Sequence, residues 1–182
     1  MSACWRALGL ALVLLLPGGC ATVSHPPLTP VARVDLARFM GDWYVIACIP
    51  TPIETQAYNA VESYRLEADG TIATTFTFRE GGFDGPAKRY TPRGFVTDRA
   101  SNAVWGMRFI WPIKADYRIA YLDADYRVTV IAREKRDYVW LMARTPELPD
   151  GEYAALVERI AAMGYDVARL RRVPQRWPPG AH

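Results

Sequence analysis

The chain has 182 residues, a net charge of +3 and 51% hydrophobic residues. That apolar share supports a packed core within a single domain, and the small, scattered charge excludes a nucleic-acid-binding surface. No long apolar segment is present beyond the extreme N-terminus, so a permanent helical membrane span is also excluded from the body of the chain.

Residues 1–19 read as an export signal. Arg6 precedes an unbroken apolar run, Ala7–Leu16, half the length needed to cross a bilayer, and small residues follow it. Gly18, Gly19 and Cys20 resemble the end of a bacterial lipoprotein signal, which implies that Cys20 becomes the acylated first residue of the mature chain. The pattern departs at Pro17, where leucine is usual and Leu16 stands one place early, so cleavage without acylation is the alternative. With Ala21 rather than aspartate next, the resemblance implies delivery to the outer membrane, lipid-anchored and facing the periplasm. Cys4 leaves with the signal and Cys20 carries lipid, so Cys48 remains as a lone thiol and no intramolecular disulfide can form. Core packing must then hold the domain.

Residues 20–32 are polar and rich in proline and are expected to form the lipidated N-terminus and a flexible tether. The domain is expected over 33–174 and a mobile tail over 175–182. Between them the chain alternates with period two. Ile72, Thr74, Phe76 and Phe78 share one face, as do Trp105, Met107 and Phe109, then Tyr117, Ile119 and Tyr121, then Tyr138, Trp140, Met142 and Arg144. Turn signals separate these runs, and the pattern predicts eight strands near 42–49, 58–67, 71–79, 87–97, 103–110, 116–122, 127–134 and 137–144. Short strands at such spacing form an up-and-down antiparallel barrel or a sandwich. A helix follows, with Asp150 as N-cap, a stripe of Tyr153, Leu156, Val157, Ile160 and Ala161, and Gly164 as the stop. Its stripe must bury against the outside of the sheet. Leu170–Val173 is expected to return as a short extra strand, and the cluster Arg169, Arg171 and Arg172 reads as a solvated face or a contact for acidic headgroups.

Gly41, Asp42 and Trp43 match the G-x-W signature of lipocalins, YLDADY at 121–126 matches the second signature region of that family, and Arg144 matches the third. FMGDWYVIA, YRLEADG, LDADYR, RDYVWLMARTP and MGYDV are similar more closely to bacterial outer-membrane lipoprotein lipocalins of the Blc type. The resemblance covers nearly the whole mature chain. It implies an all-β fold, an eight-stranded antiparallel up-and-down barrel with one C-terminal helix packed outside, and a role in binding or transporting a lipid for envelope maintenance. It also implies that Gly41, Trp43, Asp123, Tyr126 and Arg144 are structural. An indole at the closed end offers a face on which the Arg144 guanidinium stacks while its donors cap backbone carbonyls, and Asp123, Asp125 and Tyr126 fasten a turn.

Alternation from Trp43 and Arg144 directs Val45, Ala47 and Thr74 inward, and with them the candidate ligand-binding residues Glu62, Tyr64, Phe76, Phe78, Trp105, Met107, Phe109, Tyr117, Ile119, Tyr138, Trp140 and Met142. Two readings of that wall stand: a pocket for one lipophile, or a solid core. Glu62 either bonds a neighbouring tyrosine or meets a ligand's polar head. Arg108 and Arg118 have the opposite parity and are expected outside, as is Cys48.

The histidines, His25 and His182, lie in the tether and at the terminus, which removes the usual general base and metal ligand. Nucleophile elbow, phosphate loop and metal spacing are absent, so neither cofactor nor metal is expected, and the chain is not expected to be an enzyme. Lipocalin-type isomerisation would need an inward Cys48 with a lowered pKa. Two functions of different classes remain. One is a carrier of a single-chain lipid, a fatty acid such as palmitate or a lysophospholipid. The other is an envelope interaction module with a filled barrel. Phe83, Ile110, Trp111 and Ile113 are expected as exposed apolar loop residues, for membrane contact, partner contact, a homodimer across the mouth or a plug of the rim.

Overall fold

The computed structural model describes residues 25–178; the expected signal, Cys20 and the last four residues lie outside the described residues. Strands β1 (Gly41–Ile49), β2 (Ala57–Leu66), β3 (Thr71–Glu80), β4 (Ala87–Tyr90), β5 (Arg93–Val96), β6 (Val104–Ile110), β7 (Ile113–Leu122), β8 (Val128–Ala132) and β9 (Val139–Ala143) run as an antiparallel meander. β9 returns to pair with β1, from Tyr44 opposite Ala143 to Ile49 opposite Val139, and so closes the sheet into a barrel. β4 and β5 both pair with β3 and share one position, which leaves eight positions around the wall.

That shared position corrects the single strand expected over 87–97. Pro92 has no amide hydrogen to donate, so the ladder breaks there, and the Thr74 amide donates across the break to the Pro92 carbonyl at 3.1 Å. The β6–β7 hairpin is also longer than expected. Ile110 pairs with Ile113 around a two-residue turn, so the tip projects past the barrel rim.

Side chains divide into two apolar layers. The inner layer holds Trp43, Val45, Tyr64, Ile72, Phe76, Trp105 and Ile131, and the outer one joins Ile46, Ala47, Val130, Leu141 and Ala143 to the helix. A register shift between Val45 and Ala47 decides the parity of β1. It sets Ile46 and Ala47 both outward and returns Cys48 to the interior, the reverse of simple alternation.

The C-terminal helix spans Asp150–Ala162 and buries Leu156 and Ile160 against the wall, while Ala161 is exposed. Here α1 is the short helix Leu36–Phe39 and α2 this C-terminal one. Pro149, not Asp150, is the N-cap of α2; its side chain has no oxygen to offer, and Asp150 instead supplies negative charge in the first turn. Gly164 ends α2 with φ +91°, a conformation that glycine alone adopts freely. β10 (Arg171–Arg172) then pairs with Ala47 and Cys48, where β2 has diverged from β1, and so fills a seam in the wall.

Within the described residues, the parts of the expected tether and tail that are seen lie against the wall. Leu28 is buried in the outer layer and its amide donates to the Glu134 carboxylate, and Arg136 Nη2 donates to the Pro26 carbonyl at 2.7 Å. The prolines do not leave this stretch loose, because the wall offers it an apolar seat. At the other end, Gln175 Nε2 donates to the Val45 carbonyl at 2.8 Å, and Trp177 packs edge-on against Tyr44 at 5.4 Å.

The closed end is a knot of backbone carbonyls around one guanidinium. The Arg144 Cζ lies 3.8 Å from the centre of the Trp43 ring. Its nitrogens donate to the carbonyls of Asp42 (2.7 Å), Arg38 (2.9 Å), Phe39 (3.0 Å) and Met40 (2.8 Å), and Nε to Tyr126 (3.3 Å). Trp43 Nε1 donates to the Phe39 carbonyl at 2.9 Å. The carbonyls of Arg38, Phe39 and Met40 end α1, where no helical partners remain for them. Burial holds the Arg144 guanidinium down, to about 10, so it stays charged at neutral pH. Gly41 (φ +93°) lies against it, where a Cβ would stand 3.4 Å from Nη1. Asp123 Oδ1 accepts from the Arg127 and Val128 amides at 2.6 and 2.8 Å and fixes the turn that carries Tyr126 at φ 60°.

Trp43→Ala is therefore expected to lower unfolding free energy by about 3–5 kcal/mol and the melting midpoint by roughly 10 °C, measured by calorimetry. Arg144→Lys keeps the charge but not the planar fork, and should also lower the midpoint. An unchanged midpoint in both contradicts this account of the closed end.

Candidate functional site

The lower barrel is solid. Phe39 from α1 meets Trp43, Tyr64 and Trp105 at ring-centre distances of 5.0, 5.7 and 5.5 Å, and Trp105 stacks on Tyr117 at 5.1 Å. Ile72, Ile119 and Met142 are fully buried in the same layer. The aromatic volume of α1, which the period-two reading does not reveal, fills the floor.

Above this plug the barrel is hollow. A cavity of about 470 Å³ opens at the end opposite Trp43, within the size range of small-molecule sites. Glu62, Phe76, Met107, Phe109, Tyr117 and Trp140 from the expected set line it. Tyr64, Trp105, Ile119 and Met142 lie in the solid layer instead, and Phe78 stacks on Tyr90 at 6.1 Å behind the lining. Tyr138, one residue before β9, sits under the Arg133 guanidinium at 5.2 Å and is not part of the lining. Met107 crosses toward the hollow because its partner on β5 is Gly94, where a Cβ would stand 3.1 Å from its sulfur.

The lining also holds residues that strand alternation does not find: Thr51, Ile53 and Glu54 from the β1–β2 turn and Arg133 at the mouth, and Tyr90 to Pro92 at the break between β4 and β5. Turn residues reach the mouth by the path of the loop, which has no sequence period. The only signal for them is their position between strands. Around the opening Ile53, Phe109, Ile110, Trp111 and Ile113 are exposed, Trp111 by 79%. Phe83 is not among them, since its ring packs against Tyr58 at 5.1 Å and under Arg176 at 4.2 Å.

Two carboxyls face the hollow without a basic side chain bonded to either. Glu54 accepts from the Thr51 amide (2.9 Å), the Thr51 hydroxyl (2.8 Å) and Trp140 Nε1 (3.2 Å). Burial raises its pKa despite those bonds. Glu62, directly opposite Trp43 on the neighbouring strand, is bonded by the Tyr64 hydroxyl, which in turn meets the Tyr117 hydroxyl at 2.6 Å. Enclosure by the wall, and secondarily the charge of Glu54, push the Glu62 carboxyl up to about 8. Burial likewise pushes the Cys48 thiol up, with Glu54 adding to it. Cys48 thus meets one requirement of a thiol catalyst, inward aim, and fails the other.

The raised carboxyl makes a signed prediction. Glu62 holds its proton in the fold up to about pH 8 and loses it near 4.5 when unfolded. Between these values the native state binds the extra proton, so stability falls as pH rises and levels off above about 8. Glu62→Gln should flatten that slope in chemical denaturation at pH 5 to 8; an unaltered slope contradicts the assignment.

The family described as lipocalin-like domain matches residues 34–175. Temperature-induced lipocalin-1 of Arabidopsis thaliana is 31% identical over 163 residues, covering 82% of this chain and 83% of that protein. The outer membrane lipoprotein Blc of Escherichia coli K12 is 25% identical over 160 residues, covering 86% and 88%. Among solved structures, insecticyanin of the tobacco hornworm Manduca sexta matches with a TM-score of 0.66 at 14% identity, covering 87% of this chain and 88% of that one, a likeness of fold.

Proposed function

The chain belongs to the lipocalin family, and on that premise we propose that it takes up one single-chain lipid in its cavity while tethered to the outer membrane through Cys20. The observation that carries this reading is the hollow of about 470 Å³ above a solid floor, opening inside a ring of exposed apolar side chains. A filled barrel acting only as an interaction module does not require such a space. The family is mainly one of binding and transport proteins, and the protonated Cys48 thiol supports a carrier rather than an enzyme. The likeness to outer membrane lipoproteins supports a role in envelope maintenance.

The course of the N-terminal segment supports an orientation. The Val34 amide donates to the Ser101 carbonyl near the floor, Val31 to Ile119 partway up, and Leu28 to Glu134 at the mouth end. The chain thus enters the barrel on the side of the opening. Four residues lie between Cys20 and His25, and the five steps of chain span at most ~18 Å. An acyl chain on Cys20 therefore holds the mouth toward the bilayer. There the hairpin tip Ile110–Trp111–Pro112–Ile113, flanked by Arg108 and Lys114, meets lipid with its apolar side chains and acidic headgroups with its cations.

Two experiments test this. In the chain beginning at Ala21, a fluorescent fatty-acid probe should saturate at one site and be displaced by lysophospholipid; Met107→Glu or Phe76→Asp should abolish uptake while far-ultraviolet circular dichroism is retained. Uptake that survives both substitutions overturns the assigned cavity. Separately, Trp111→Ser with Ile113→Ser, at the exposed hairpin tip and outside the cavity lining, should reduce co-sedimentation with anionic vesicles and leave probe binding in solution unchanged. Equal sedimentation overturns the docking orientation.

A further inference from the structure

The charge within the hollow is one-sided. Four ionisable acidic or basic side chains line it: Glu54, Glu62, Asp116 and Arg133. Asp116 and Arg133 each have a partner at the mouth, Asp116 with Arg118 at 3.1 Å and Arg133 with Asp137 at 3.4 Å. Glu54 and Glu62 are bonded only by neutral donors, namely Thr51, Trp140 and Tyr64. Arg171, whose field reaches Glu54, spends its Nη2 on the Ala57 carbonyl at 2.9 Å and lies outside the lining.

The depth of the two carboxyls differs. Glu62 stands level with Trp43 and is tied through Tyr64 to the aromatic plug, so it marks the bottom of the hollow. Glu54 belongs to the β1–β2 turn near the mouth. The rings of Phe76, Tyr90, Tyr117 and Trp140 line the space they share. Aromatic rings and carboxylates are the two groups that attract an organic cation, and a desolvated site strengthens both attractions. A fatty acid that enters head first meets the opposite: like charge at the bottom, while the cation of the lining, Arg133, stands at the mouth beside Asp137.

We propose that the cavity selects single-chain amphiphiles with a cationic head, an alkyl ammonium, over the carboxylate of equal chain length, with Glu62 as counter-ion and the tail directed toward the apolar mouth. This rests on the cavity reading above and deepens it. The groups facing Glu62 are Tyr64 from its own strand, Tyr117 from β7, Cys48 from β1 and Glu54 from the turn, none of them a cation. Glu62 resides in the protonated form until the ammonium arrives; its proton then passes to solvent buffer, and the carboxylate is left against the cation. Ammonium affinity must accordingly rise as pH increases from 6 to 8, and carboxylate affinity must fall.

Calorimetry on the chain beginning at Ala21 tests this with dodecyltrimethylammonium, dodecanoate and dodecanol below their aggregation limits. At pH 8 the ammonium is expected to bind at least about tenfold more tightly than dodecanoate, a difference near 1.4 kcal/mol. Proton release should be visible as a heat that depends on the buffer. Glu62→Gln should reduce the ammonium preference to near unity while dodecanol binding is retained, which separates lost charge recognition from a lost fold. Dodecanoate binding as tightly as the ammonium, or an unchanged preference in the glutamine variant, overturns the proposal. If none of the three binds, the carrier reading falls and this proposal falls with it; if dodecanol binds without ammonium preference, only the proposal fails.

Discussion

The structure depends on a single guanidinium lying on a single indole. A barrel of this strand number must be stopped at one end, and the stop here is α1, a four-residue helix whose last carbonyls have no helical partners. Arg144 collects the carbonyls of residues 38 to 40, and Trp43 takes Phe39 from within. Because Trp43 opens β1 and Arg144 follows β9, the same contact also joins the first and last strands that close the wall. Charge-assisted bonds to backbone are stronger than neutral ones, and stacking excludes water from them. One cluster thus closes both the end and the circumference.

That closure determines where the cavity lies. Phe39 is held inward by the bonds at its carbonyl, and its ring gathers Trp43, Tyr64 and Trp105 into a layer that leaves no space. The hollow begins only above them. Glu62 sits at the boundary, bonded downward to Tyr64 and open upward to the cavity. Its raised pKa is a consequence of the same enclosure, since the plug removes water from below while the wall removes it from the sides.

The barrel, its helix and the Trp43–Arg144 pair were legible in the sequence because each has a period or a fixed spacing: two for strands, 3.6 for the helix, and signature residues at the ends of the meander. The misreadings occur where that regularity is broken. The shift at Val45–Ala47 inverts Cys48, Pro92 divides a strand, and the proline-rich 26–32 stretch is fixed by Glu134 and Arg136 from across the fold. The site was half legible for a different reason. Alternation identifies which side chains face inward, but whether an inward side chain fills or lines depends on its height above the floor. Tyr64 and Glu62 differ by two residues on one strand, and only the second borders the hollow.

Height also gives the cavity a direction. Exposed apolar side chains, Ile53, Phe109 and Ile110, stand at the rim beside the ion-paired Asp116 and Arg133, and the acid without a cation, Glu62, lies at the base. In a carrier that accepts lipid tail first, the polar group would be placed at the opening, where water solvates it without cost. Glu62 is instead where a charge is hardest to maintain, and the Tyr64–Tyr117 hydroxyl pair that serves it provides no compensating positive charge. An uncompensated acid at the base, beneath aromatic walls and an apolar lip, is the arrangement expected when the ligand itself brings the missing cation and leaves its tail toward the membrane.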